Sequence, residues 1–322
     1  MARIVGKPGY DELAGTSGGD VLYGLGGSDI IYGGRDFSAP SGKDTFYGGA
    51  GFDSMYGGDG DDLFLHNPDG DYMVGGAGFD TLDYSSATTG FFIQLNSTNS
   101  DACSFGDTTA LFERLIGSRF GDTLYGGYER HTELFGGGGN DSIEGQFRAD
   151  KLYGGVGNDT IRGTETLYGG ADFGDSIFGG GGNDLIYGSE KADRLMGEDG
   201  LDTIYGGDGT DRIFGGNGGD WLAANRGDDS VHGGQGADTF FFSSSELGHR
   251  VVLDFKPGQG DKLYLEFGGN ITSVAELLPL MTEKNGNVII DMTSGLPGLY
   301  TVTILGTDIA DLTDLNVDFW DF

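Results

Sequence analysis

Between Gly179 and Phe241 an aspartate recurs at every ninth residue: Asp184, Asp193, Asp202, Asp211, Asp220, Asp229 and Asp238. Carboxylates at fixed spacing in a glycine-rich chain suit hard cations, which take about 6–8 oxygens from carboxylates and main-chain carbonyls. Each aspartate is the sixth residue of a nine-residue unit: GGGGNDLIY, GSEKADRLM, GEDGLDTIY, GGDGTDRIF, GGNGGDWLA, ANRGDDSVH and GGQGADTFF. The residues before it form a glycine-rich turn, because glycine alone enters φ > 0 freely. The three after it suit a short strand, in which side chains alternate between faces. The eighth position then points inward, predicting a core column of Ile186, Leu195, Ile204, Ile213, Leu222, Val231 and Phe240. The seventh and ninth positions face outward.

The same unit organises most of the chain. After a short lead-in at 1–14, a first block over 15–83 places Asp20, Asp29, Asp44, Asp53, Asp62 and Asp80 at the sixth position. It is interrupted by the insertion GGRDFS after Tyr32 and by the degraded unit HNPDGDYMV. Over 84–116 the period is lost, which reads as a decorated turn of the same body. A second block over 117–241 adds Asp122, Asp141 and Asp159, then an irregular stretch containing GTETLY and GGADFGDSIF, then the unbroken run. The remainder, 242–322, changes character. HRVVLDFKPGQGDKLYLEF reads as two strands around a turn at Pro257-Gly258, SVAELLPLM has helical spacing, and NVIID and YTVTILG read as strands.

Composition narrows the chemistry. Of 322 residues 66 are glycine, and the formal net charge is −33. That acidity repels nucleic acid, whose phosphates demand basic partners, so no nucleic-acid partner is expected. Such a composition often stays disordered, but periodic glycines and 12 % aromatics argue for an ordered state under the right conditions. One cysteine, Cys103, permits no intrachain disulfide. The N-terminus MARIVGKPGYDELAG lacks a signal-peptide core, and no apolar run reaches the roughly 18 residues of a membrane span.

The unit G-G-x-G-x-D-x-U-x resembles the nonapeptide repeat of the RTX family. The resemblance implies an all-β fold: a right-handed parallel β-roll (a β-solenoid) stabilised by Ca2+, with a small β-rich C-terminal cap holding one short helix. Two units make one coil, so alternate units stack on one edge. Burying one large side chain per unit contributes about 1.5–3 kcal/mol, little against the entropy of ordering nine residues, so the ion has to supply stability. In the family an ion sits between turns n and n+2. It is held by the carbonyls of positions two and four and the Asp of turn n, with the carbonyls of positions one and three and the Asp of turn n+2. Here that implies Gly180, Gly182, Asp184 with Gly197, Asp199, Asp202, then Glu198, Gly200, Asp202 with Gly215, Asn217, Asp220. A third set is Gly216, Gly218, Asp220 with Gly233, Gln235, Asp238, while Gly207, Gly209 and Asp211 supply ligands on the opposite edge. The two-turn rule and oxygen-ligand chemistry together imply roughly ten to fifteen ions.

Basic residues interrupt some turns: Lys191, Arg226 and Arg148. Either they replace the ion's charge, leaving calcium weak or absent there, or they point to solvent. The ninth position is often aromatic, as at Tyr23, Tyr47, Tyr187 and Tyr205. An outward stacking ladder is expected before a glycan-binding platform, and Trp221 is weighed the same way. Gly15-Thr16-Ser17-Gly18-Gly19 fits the G-x-S-x-G elbow but lacks its strand–turn–helix setting. The four histidines show no H-E-x-x-H spacing, so no catalytic residue is expected. The expected protein is a secreted calcium-binding roll that leaves the cell unfolded through type I secretion machinery and folds outside. There it would serve as a non-catalytic binding, adhesion or structural module, with an extracellular glycan or cell surface as partner. The alternatives are a small membrane-perturbing effector or the accessory roll of an extracellular polysaccharide enzyme or lipase.

Overall fold

A computed structural model describes residues 1–35, 40–96, 103–163, 174–243, 245, 247–266, 271–292, 300–313 and 316–320. All but the first residue of GTETLY and the first part of GGADFGDSIF lie outside the described residues, as does the end of the GGRDFS insertion. The chain forms two compact units, Met1–Gly155 and Val156–Phe322.

In the second unit the nonapeptides build two parallel sheets. One takes Ser176–Gly181, Arg194–Asp199, Arg212–Asn217 and Ser230–Gln235 in order, and the other Leu185–Tyr187, Thr203–Tyr205, Trp221–Ala223 and Thr239–Ser243. Register follows the repeat: Ile177 lies beside Leu195, Leu195 beside Ile213, and Ile213 beside Val231. The predicted core column is fully buried, from Ile186 to Phe240, with seventh and ninth positions mostly half-exposed. The first sheet has strands of six residues because its ladder continues into the turn, pairing Glu198 with Gly216 and Asp199 with Asn217. The second has mostly three-residue strands, and among the described turns following it a two-residue bridge pairs Asp208–Gly209 with Arg226–Gly227.

The two strands around Pro257-Gly258 are not a hairpin. Gly248–Val252 pairs in parallel with Ser230–Gln235, and Lys262–Glu266 in parallel with Thr239–Ser243, so they form another coil of the roll. Asp261 sits at the sixth position and accepts the Asp238 N–H. Beyond it Met281–Glu283, Asn287–Asp291 and Tyr300–Leu305 form an antiparallel cap. The helical spacing of 273–281 yields one α-helical turn, Val274–Leu277, N-capped by Ser273 and continued by a 3-10 turn.

In the first unit one parallel sheet runs Arg3–Val5, Val21–Gly26, Thr45–Ala50, Leu63–Leu65, Thr81–Asp83 and Arg114–Ile116, and a second Glu12–Ala14, Ile30–Tyr32, Ser54–Asp59, Tyr72–Ala77 and Thr108–Ala110. Residues 1–14 thus already belong to the roll, since Asp11 N–H donates to Asp29 as in later turns. The aperiodic stretch also contributes roll strands. Among its described residues, Tyr84, Phe91 and Phe105 form an aromatic cluster with His66.

Position four tests the turn. Gly218 has φ +134°, and a Cβ there would lie 1.5 Å from the Gly200 carbonyl oxygen. Gly218→Ala should therefore cost at least about 1–3 kcal/mol in backbone strain, read as a lower Tm with calcium present. Gly181→Ala, where nothing lies within 4 Å of the new methyl, is the control. Equal Tm values for the two variants would refute the turn geometry.

Candidate calcium sites

The sixth-position aspartates are buried on every described turn of the unbroken run. Each carboxylate is divided in use. Its Oδ1 accepts the main-chain N–H of the aspartate one coil earlier: Asp184 N–H to Asp202 at 2.8 Å, Asp202 to Asp220 at 2.9 Å, Asp220 to Asp238 at 3.0 Å. Its Oδ2 is buried and without a hydrogen-bond partner in Asp29, Asp44, Asp53, Asp62, Asp80, Asp184, Asp202, Asp211, Asp220 and Asp238. A buried unpaired carboxylate oxygen is costly, and a column of them calls for a cation.

Main-chain carbonyls converge on the same places. A Cβ at Gly197 would meet both Asp202 Oδ2, at 2.2 Å, and the Gly215 carbonyl oxygen, at 2.6 Å. The Glu198 and Gly200 carbonyls point forward onto Gly216 and Gly218. Asn217 O points back and accepts the Gly200 N–H at 2.8 Å. Glu198, Gly200, Asp202, Gly215, Asn217 and Asp220 are therefore brought together around one gap between turns. The same arrangement recurs around Asp184 with Gly197, and around Gly216, Gly218 and Asp220 with Gly233, Gln235 and Asp238. This donor set, all oxygen and mostly carbonyl, fits Ca2+. Among the described residues no three His, Cys, Asp or Glu side chains cluster as a metal site, as expected where carbonyls dominate.

Burial without a counter-ion raises the carboxyl groups. Asp202 is pushed up from 3.8 to about 7 by desolvation, with Asp220 and Asp184 adding repulsion. Asp62 rises to about 8 and Asp211 to about 9, again through burial first.

Two turn types emerge. In the cage type the second residue has positive φ, as in Gly180 (109°), Gly216 (125°) and Gly234 (107°). Leu25, Gln146, Glu198 and Asn225 do the same without being glycine. In the other type the second residue turns its N–H onto its own aspartate. Thr16 donates to Asp20 Oδ2 at 2.7 Å, Ser118 to Asp122 at 2.6 Å, Ser189 to Asp193 at 2.5 Å and Lys7 to Asp11 at 2.5 Å. These turns close on themselves, so Asp20 and Asp122, expected as ligands, have Oδ2 hydrogen-bonded within their own turns. Thr16 is also the second residue of the G-x-S-x-G match, which is thereby a capped turn. Elsewhere Asn67 Nδ2 donates to Asp71, and the Tyr84 hydroxyl to Asp107, whose Oδ1 accepts the Asp71 N–H at 2.7 Å. Cys103 is buried against that same Asp107, its Sγ 3.8 Å from Oδ2. The aperiodic stretch thus supplies a substitute sixth-position carboxylate that only folding reveals. Gly207, Gly209 and Asp211 retain cage geometry, with Gly209 at φ +140°.

The Arg226 side chain acts outside the cages. Arg226 pairs with Asp208 at 3.5 Å, both side chains about half-exposed, while Asp211 Oδ2 stays unpartnered. The unit holding Lys191 departs from the pattern through Ser189 at its second position. Arg148 is half-buried, and among the described residues nothing ties it to a carboxylate. At the ninth position the rings stack on each other: Tyr23 on Tyr47 at 4.5 Å, Tyr187 on Tyr205 at 5.1 Å, Phe135 on Tyr153 at 4.4 Å. Their faces are spent on neighbours, which favours the structural ladder. Trp221 likewise stacks on Phe241 at 5.6 Å.

Comparison with known proteins agrees with this geometry. No curated protein sequence matches the chain. Among solved structures, the extracellular lipase LipA from Serratia marcescens aligns over 97 % of this chain and 40 % of its own, at 17 % identity and a TM-score of 0.21. This chain therefore spans well under half of that lipase, and a likeness so weak carries no argument. The profile of the RTX calcium-binding nonapeptide repeat matches residues 5–37, 41–69, 67–83, 135–165, 162–190, 187–222 and 214–244. With more than half of its length matched and its buried aspartate column facing carbonyl-lined gaps, the chain belongs to the RTX calcium-binding nonapeptide repeat family.

Proposed function

We propose that this calcium-binding β-roll is exported unfolded through type I secretion machinery, folds on meeting extracellular calcium, and works there as a non-catalytic structural or surface-binding module. The carrying observation is the column of buried Asp Oδ2 atoms without partners. Such a column opposes folding where calcium is scarce and rewards it where calcium is plentiful. The net charge of −33 acts in the same direction by self-repulsion. No described helix is long and apolar enough to cross a membrane.

The test is co-expression with a type I exporter. The chain is expected in the calcium-containing medium, protease-resistant, and without turnover of ester, triglyceride or alginate substrates. Retention in the cytoplasm would sink the export reading. Calcium-dependent turnover of any of these substrates would sink the non-catalytic one.

A further inference from the structure

The roll ends, on one edge, in a turn where the sign of the charge is reversed. Register identifies it: Ser230 pairs with Val251 and Val231 with Val252, which places Arg250 at the sixth position, where the preceding units carry aspartate. Positions three and four of that turn keep the repeat geometry. Gly248 sits at position four with φ +133°, and a Cβ there would lie 1.9 Å from the Gly227 carbonyl, the same contact that Gly227 makes with Gly209. The Gly227 N–H donates to the Leu247 carbonyl at 2.9 Å, as position four does to position three elsewhere.

The sixth-position side chain is what differs. Arg250 is 1 % exposed. Its Nε donates to the Asn225 carbonyl at 3.0 Å, joined by Nη2, and Nη1 reaches the Gly248 carbonyl at 3.4 Å. Nε also lies 3.9 Å from Asp229 Oδ2, both side chains being fully buried. Asn225 is the second residue and Asp229 the sixth of the preceding turn on this edge. They correspond to Glu198 and Asp202, which face the ion gap in the complete edge. A guanidinium has five donors and no acceptor, so it suits a pocket of carbonyls and one carboxylate.

We propose that Arg250 is a tethered cation that occupies the last ion gap of this edge, so that the turn closes on the guanidinium and binds no calcium. This rests on the calcium reading of the other gaps. The opposite edge ends differently. Asp261 keeps the carboxylate there, Asp238 Oδ2 is unpartnered, and the Lys256 ammonium on the Gly234 carbonyl is 43 % exposed. One edge therefore has a C-terminal turn closed without metal, next to the cap, from which calcium-filled turns can stack backward.

Two measurements test this. In a calcium-soaked crystal of the full chain, anomalous density is expected between turns 197 and 215 and between 215 and 233, and none beside Arg250. An ion between Asn225 O and Asp229, with Arg250 displaced, would overturn the proposal. No ion at any gap would instead overturn the calcium reading beneath it. In solution, Arg250→Gln should raise the calcium concentration at half-folding at least threefold, with failure to fold at saturating calcium as the extreme of the same shift. Arg226→Gln, which removes an equal charge from the surface pair, should leave it unchanged. An unchanged midpoint for Arg250→Gln, or an equal shift for Arg226→Gln, would overturn the proposal.

Discussion

Circular dichroism of the chelated chain at pH 8 is expected to show little β structure, and calcium to restore it in a cooperative transition. The midpoint should fall near the affinities of extracellular calcium modules, roughly 10⁻⁴–10⁻³ M. Three observations set this size. The core is one large residue per unit, such as Ile204 or Ile213, however fully each is buried. Among the described residues, at least ten aspartates bury an unpartnered Oδ2. Each filled site adds about 2.7 kcal/mol when free calcium is a hundred times its dissociation constant, so several sites summed exceed the usual stability of a domain. The transition should be steep, because Asp202 and Asp220 each face two gaps and filling one orders the next. Residual signal in chelator should come from the antiparallel cap, Asn287–Asp291 with Tyr300–Leu305, whose pairing involves no aspartate column. Full β structure in chelator would remove the basis for folding on export.

Acid is expected to replace calcium in part. In the folded, metal-free roll, burial raises Asp44 and Asp202 to about 7, Asp62 to about 8, and Asp184 and Asp220 to about 6. In the unfolded chain these groups titrate near 3.9. Between those values the folded state binds more protons, so its stability falls as pH rises. Below about pH 4 both states are protonated and the penalty vanishes. Above about pH 8 nearly all of it is present. In chelator, then, β structure should be greater at pH 5 than at pH 8. With calcium present the order should reverse, because protons compete with the ion for the same oxygens. Thermal unfolding at both pH values, with and without calcium, checks this. The same pH trend with and without the ion would show that these carboxylates do not face it.

The repeat, its inward column and the calcium chemistry were legible from residue type and spacing, because a solenoid builds each coil from contacts one period apart. Ile186 to Phe240 are buried as the period requires, and the gaps around Asp202 and Asp220 gather the carbonyls that the family pattern names. What spacing could not show was the direction of individual peptide planes and side chains. Whether the second residue presents its carbonyl to the gap, as Glu198 does at φ +78°, or its N–H to its own aspartate, as Ser189 does, depends on local backbone conformation rather than on the periodic residues. Cys103 and Asp107 entered the roll through a stretch with no period, because Tyr84 and Phe91 fold it back over a turn. Lys191 and Arg226 stood out in the sequence because they interrupt good repeats. Arg250, which reaches an ion gap, was hidden in a stretch that keeps only Gly248 of the repeat's glycines. Sequence alone determined that this chain stacks carboxylates for calcium. Only the tertiary structure decided which gaps keep an oxygen open to the ion, because that turns on where one coil's backbone and side chains point against the next.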